Sequence, residues 1–299
     1  MSETTFAAPV AGGVLAGGQW RADAPGLPVL AVHGITASHR NWDLLAAALP
    51  DQRVIAPDLR GRGRSGRLPA PYGLVQHADD LAAALDALDV ERVYVLGHSM
   101  GAFVSVRFAE RHPDRIAGLA LIDGGLPVPS PEGIAPEDLP KVLLGPALER
   151  LSMTFSSRAD YVRFWQRHPA LGPYWNSAIE AYVQYDLVGD EPVLRSSASV
   201  DAVAVNAVEL DGSAGYSEAL LATPGPVDFF RAPRGLLDAA PLYSDGLAAE
   251  WAARMPQLVV HDVVDVNHYT IVMSARGVDS VMPVIRDRIR AARTQEGAS

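Results

Sequence analysis

The chain has 299 residues, 48% apolar and 20% charged, which is globular composition with length enough for a sizeable core. With 25 Lys plus Arg against 35 Asp plus Glu its net charge is −10, which excludes a global field that would draw nucleic acid or an anionic membrane. There is no cysteine and one lysine, Lys141, so disulfides, thiolate nucleophiles, Cys-ligated metals and a lysine-dependent phosphate loop have nowhere to sit. The opening stretch, residues 4–20, is broken by Pro9, Gly12, Gly13, Gly17 and Gly18, reads as neither signal peptide nor membrane span, and is expected to supply one or two edge strands.

Residues 29–32, 54–56, 93–96 and 116–122 are continuous apolar runs of strand length, the pattern of parallel strands covered on both faces. Between the second and third, Leu74, Ala78, Leu81, Leu85 and Leu88 recur at helical spacing and form one apolar stripe. A further helix is predicted from Ser99 to about Arg111, stopping before Pro113. The alternation argues for an α/β fold with right-handed crossovers. From Pro127 to Ala222 Pro/Gly punctuation gives way to helical patterns rich in Trp and Tyr, read as a helical insertion; strand-like runs return at 227–230 and 258–260, before a last amphipathic helix marked by Val278, Val281, Ile285 and Ile289. The expected organisation is therefore a core of residues 1–126 and 223–299 with a helical cap over 127–222.

The strongest chemical signal is Gly97-His98-Ser99-Met100-Gly101 between a buried strand and a helix. Small residues flank the serine because a nucleophile on so tight a turn leaves no room beside it, and the turn aims the next helix's N-terminus at developing negative charge. Together with His33-Gly34 after the 29–32 run, Asp58-Leu-Arg-Gly61-Arg-Gly63-Arg-Ser65 after the next, and Asn267-His268 near the end, the chain resembles the α/β-hydrolase superfamily over nearly its whole length apart from the insertion.

That resemblance implies an α/β-hydrolase fold, a mostly parallel sheet flanked by helices with an inserted cap, in which Ser99 is the nucleophile, His268 the base, and the backbone N–H groups of Ile35 and Met100 form the oxyanion hole. For the acid it offers two positions. Asp123 ends the strand before the insertion and is followed by Gly124 and Gly125; haloalkane dehalogenases and zearalenone lactonases place theirs there. Asp238, the alternative, follows the strand after the insertion but lies about three residues beyond the usual place. His33 reads as a turn histidine, His98 as packing or support beside the nucleophile, and His261 as a structural strand residue. Arg60, Arg62, Arg64 and Arg67 are expected to solvate a glycine-rich loop. Trp165 and Trp175 are candidates for the substrate pocket, since a helical lid covers such sites.

The expected activity is that of a cofactor-free, metal-free cytoplasmic serine hydrolase cleaving an apolar ester or lactone through an acyl-enzyme, with a small apolar molecule as its partner and neither nucleic acid nor membrane. A carbon–carbon bond hydrolase or cofactor-free haloperoxidase would use the same residues, and a noncatalytic small-ligand receptor is the alternative of another class. Serine at the elbow disfavours the dehalogenase and epoxide hydrolase branches, which need aspartate there.

Overall fold

A computed structural model describes residues 3–128 and 145–296. Ten strands occur among them: β1 (Glu3–Val10), β2 (Gly13–Trp20), β3 (Val29–Val32), β4 (Val54–Pro57), β5 (Val93–His98), β6 (Ile116–Ile122), a short pair β7 (Leu187–Val188) and β8 (Arg195–Ser196), β9 (Val227–Arg231) and β10 (Leu258–Asp262). Eight form one sheet in the order β1-β2-β4-β3-β5-β6-β9-β10. The glycine-rich opening makes the antiparallel β1–β2 edge, and β2 joins β4 antiparallel; every later pairing in the sheet is parallel.

The central strands β3, β4 and β5 are buried at every residue, which explains their unbroken apolar sequence. Helices Leu74–Ala87 and Met100–Arg111 cover one face, contributing Leu81, Leu85, Phe103 and Phe108 to the core. The helix Ala275–Glu296 covers the other through Val278, Val281, Ile285 and Ile289, where they meet Val29, Tyr94 and Phe230. This is the α/β-hydrolase architecture that the motifs imply.

Between β6 and β9 the described elements are mainly helical: Pro146–Leu151, Arg158–Gln166, Ser177–Tyr185, Val200–Val208 and Tyr216–Ala222. The last of these packs its Tyr216 ring 5.0 Å from Phe103 and donates its hydroxyl to the Gly125 carbonyl (2.6 Å), so it flanks the sheet rather than covering the carboxyl ends of the strands. Lys141 and the prolines Pro129, Pro131, Pro136 and Pro140 lie outside the described residues.

Candidate active site

At the carboxyl end of β5 the chain turns sharply into the helix Met100–Arg111. Ser99 makes that turn with φ 55° and ψ −127°, a conformation costly for a residue with a Cβ and held here by its surroundings. Its N–H donates to the Ile122 carbonyl on β6 (3.0 Å). Side chains are excluded on both flanks: a Cβ on Gly97 would fall 2.4 Å from the Ala102 Cα and one on Gly101 2.0 Å from the Val32 carbonyl oxygen, while one on Gly124, after β6, would fall 2.1 Å from the Ser99 carbonyl oxygen. Met100 opens the helix, among backbone N–H groups that have no acceptor within it.

His268 lies in the loop after β10. Its Nδ1 donates to Asp123 Oδ2 at 2.7 Å, and both side chains are buried. That bond occupies Nδ1, so any proton transfer falls to Nε2. Asp123, reached at a backbone φ of 44° immediately after β6, accepts a second bond on Oδ1 from Ala232 N–H (3.0 Å), which fixes the carboxylate plane.

Ser99, Asp123 and His268 line one cavity of about 110 Å³, together with Ile35 and Met100. Most of its remaining wall is apolar or aromatic, including Phe103, Tyr182, Leu210, Leu242, Tyr243 and Tyr269. An activatable hydroxyl, an imidazole oriented by a buried carboxylate, and a helix N-terminus thus meet in a mainly apolar cavity, an arrangement suited to acyl transfer.

A family model described as alpha/beta hydrolase fold matches residues 28–215. The chain belongs to the α/β-hydrolase family. Among curated relatives, the lipase LipV of Mycobacterium tuberculosis is 42% identical over 95 residues, 32% of this chain and 36% of that one. The chain spans about a third of the length of the first curated relatives it matches. Among solved structures, E-2-(acetamidomethylene)succinate hydrolase matches with a TM-score of 0.72 at 24% identity, covering 97% of both chains. A thermophilic esterase from Thermogutta terrifontis matches with a TM-score of 0.68 at 24% identity, covering 98% of this chain and 100% of that one. At such identities the two structures speak for the fold alone.

In this α/β-hydrolase, Asp238 is placed away from the imidazole. The loop after β9 carries it, at φ 58°, to Arg234 Nε (2.8 Å), Asn267 Nδ2 (2.9 Å) and the Tyr174 hydroxyl (3.2 Å). Burial raises its pKa, but the bonds from Asn267 and Arg234 outweigh that and hold it below the usual carboxylate range. As the alternative acid it is therefore set aside; it braces the residue before His268.

Trp165 and Trp175 are not among the residues lining the cavity, which corrects their expected role. Trp165 is 3% exposed among the helices between β6 and β9, beneath the Arg150 guanidinium (4.9 Å) and beside Tyr161 and Phe164, while Trp175 is partly buried against the same cluster. The large rings had to be used to give a small helical layer an interior. Tyr182 and Tyr269, less prominent in the sequence, reach the cavity instead.

The arginine cluster is also corrected in part. Arg60 and Arg62 are buried rather than solvated, Arg60 by a side-on pair with Asp80 (Nε–Oδ2 and Nη2–Oδ1 both 2.8 Å). A carboxylate on the inward side of the helix Leu74–Ala87 was the signal available for this. Arg64 lies over the Tyr185 ring (4.8 Å).

The histidines divide by environment. His33 accepts Leu59 N–H at Nε2 (2.9 Å) and donates from Nδ1 to the Gly34 carbonyl (2.8 Å), and burial lowers its pKa to about 4, so it is a neutral brace of the turn leading to Ile35. His98 donates from Nε2 to the His268 carbonyl (2.8 Å) and accepts from Asn41 at Nδ1 (3.3 Å); burial, then the nearby His268, lowers its pKa well below 6.5. His261 bonds the buried Asp228 (2.8 Å) on the neighbouring strand. Among the described residues no helix is long and apolar enough to cross a membrane, and no group of three or more His, Cys, Asp or Glu is arranged to hold a metal ion.

Proposed function

We propose that the chain is a serine hydrolase acting on a small apolar carboxylic ester or lactone. The observation that carries this is the 2.7 Å bond between His268 Nδ1 and Asp123 Oδ2 in a cavity that also holds Ser99 on its strained turn. In this reading Nε2 of His268 takes the Ser99 proton as Oγ bonds to the carbonyl carbon. The C=O electron pair moves onto oxygen, where the N–H groups of Ile35 and Met100 receive it. Collapse of that adduct breaks the bond to the alcohol oxygen, which leaves with the proton from His268. Water, deprotonated by the same nitrogen, then releases the acid.

The apolar wall supports an uncharged, apolar substrate group, because a charge moved into it would lose hydration without a partner. The test is a panel of alkyl and aryl esters and lactones, with labelling by a fluorophosphonate, on wild type beside Ser99→Ala. The variant should lose at least about 10⁴-fold in kcat and all labelling while keeping its melting profile. Near-normal turnover by Ser99→Ala would sink the serine mechanism, and turnover of none of the panel by a labelled wild type would sink the substrate class.

A further inference from the structure

Arg60 and Arg62 leave the loop after β4 two residues apart, and both side chains are buried, but their charges are met differently. Arg60 has Asp80. Arg62, 0% exposed, gives its hydrogen bonds to neutral oxygens: Nε to the Ile35 carbonyl (2.9 Å), Nη1 to the Arg60 carbonyl (2.9 Å), and Nη2 to Asn206 Oδ1 (2.8 Å). Among the described residues no carboxylate lies within ion-pair distance of it. A buried guanidinium without a counter-ion is expensive, and a paired carboxylate would have offset part of the cost.

The location gives that cost a use. Arg62 bonds the carbonyl of Ile35, and its Nη2 lies 3.9 Å from Met100 Sδ, so it touches both residues whose N–H groups are assigned to the oxyanion. From the cap side Asn206, on the helix Val200–Val208, holds the same guanidinium and is itself fixed by donating to the Tyr72 carbonyl (2.6 Å) and Glu209 (3.1 Å). The titratable groups around it leave the charge standing. Burial keeps His33 and His77 neutral, Asp58 is engaged by His39, and Glu209 is spent on Asn206 and Leu74 N–H.

We propose that Arg62 is a positioning residue of the oxyanion hole: it fixes Ile35 and Met100, and its uncompensated positive charge favours the negative charge that develops on the substrate oxygen. In a water-poor interior such a charge acts more strongly than at a surface, and mainly on the transition state. Lysine in its place would keep the charge and lose the fork that grips three oxygens, whereas glutamine would lose the charge.

This inference rests on the serine hydrolase reading, and the experiment separates the two. Wild type, Ser99→Ala, Arg62→Lys and Arg62→Gln are compared for kcat and KM on a neutral ester, for melting temperature, and for inhibition by phenylboronic acid, which becomes an anionic tetrahedral adduct when a serine oxygen bonds to boron. Arg62→Gln should lose about 30-fold or more in kcat with KM within about 3-fold, and at least about 10-fold in boronate affinity, while Arg62→Lys recovers most of both. Equal losses in folded Lys and Gln variants would mean the fork matters and the charge does not, overturning the role given to the charge. Retention of kcat and boronate affinity by Arg62→Gln would overturn it too. If Arg62→Gln fails to fold, the lysine variant decides: folded and within about 5-fold of wild type it supports the proposal, folded and severely impaired it refutes it. A wild type that neither turns over the ester nor binds the boronate through Ser99 would sink the serine reading and this inference with it. Wild-type binding with unchanged Arg62 variants would sink the inference alone.

Discussion

Asp123 and Asp238 both follow sheet strands at a positive φ, yet only one faces the imidazole. β6 and β9 are neighbours and pair parallel, so the chain leaving β6 can receive Ala232 N–H on one carboxylate oxygen and His268 on the other. Asp238 is held by Arg234 and Asn267 instead. A carboxylate that sets the tautomer of such a base is worth on the order of 10⁴ in kcat, so Asp123→Asn should cost at least about 10²-fold with little change in melting temperature. Asp238→Asn should cost less than about 10-fold, since it keeps most of its shape and acts on the base only through Asn267. Steady-state kinetics on both variants over a pH series checks this, and a severe loss confined to Asp238→Asn would reverse the assignment. Both candidates were implied by the resemblance to the family, which places its acid after one or the other of these strands. The choice between them could not be read from the sequence, because it depends on how far the loop after β9 carries its aspartate sideways.

The elements most legible in the sequence were those whose burial is uniform or strictly periodic. β3 and β6 begin and end where their apolar runs do, and the stripe from Leu74 to Leu88 became the helix Leu74–Ala87. Between β6 and β9 the helical character was legible but not the side-chain directions, because an aromatic at helical spacing looks the same whether it packs among helices or lines a cavity. Tyr182, on the helix Ser177–Tyr185, lines the cavity where Trp165 does not. Tyr182→Ala should therefore lower kcat/KM for bulky apolar esters more than for acetyl esters, by the factor expected from losing roughly 1 to 3 kcal/mol of burial. Equal losses across the series would point to a damaged cap. At the opposite edge, β1 is anchored by His39, whose Nδ1 bonds Asp58 (2.9 Å) and whose Nε2 bonds Glu3 (2.8 Å). Burial opposes its charge, but the bonds to Asp58 and Glu3 prevail and raise its pKa from 6.5 to about 9. The stability this adds is complete below the unfolded value and is lost as pH rises through the folded one, so the melting temperature should fall between about pH 7 and about pH 10. His39→Gln should flatten that fall in a series of thermal melts, and an unchanged slope would show that another group titrates.

Over the whole molecule, the pieces of the site come from segments far apart in sequence that the parallel sheet gathers at its carboxyl edge: the turn after β3, the elbow after β5, Asp123 after β6 and His268 after β10. That convergence follows from strand order, which is why short motifs separated by many residues were enough to anticipate it. Composition could not reveal how the charge is distributed. Among the described residues the buried cations Arg60, Arg62, Arg107 and Arg150 are matched by buried Asp58, Asp80, Asp123, Asp186 and Asp228, so the net charge of −10 stands mainly at the surface. Exposed Asp211 stands among the residues lining the cavity. Such a field should repel an anionic substrate during approach and leave a neutral one unaffected, with a range of roughly a Debye length that shrinks as salt is added. The expected outcome is that kcat/KM for an ester carrying a remote carboxylate rises by about 2- to 5-fold between roughly 10 mM and 300 mM NaCl, while that for an uncharged ester of equal size changes little. Asp211→Asn should reduce the salt dependence for the anionic ester alone. A kcat/KM for the anionic ester that instead falls with salt would mean that a local cation at the mouth outweighs the acidic surface, and substrates bearing a carboxylate would then become the better candidates.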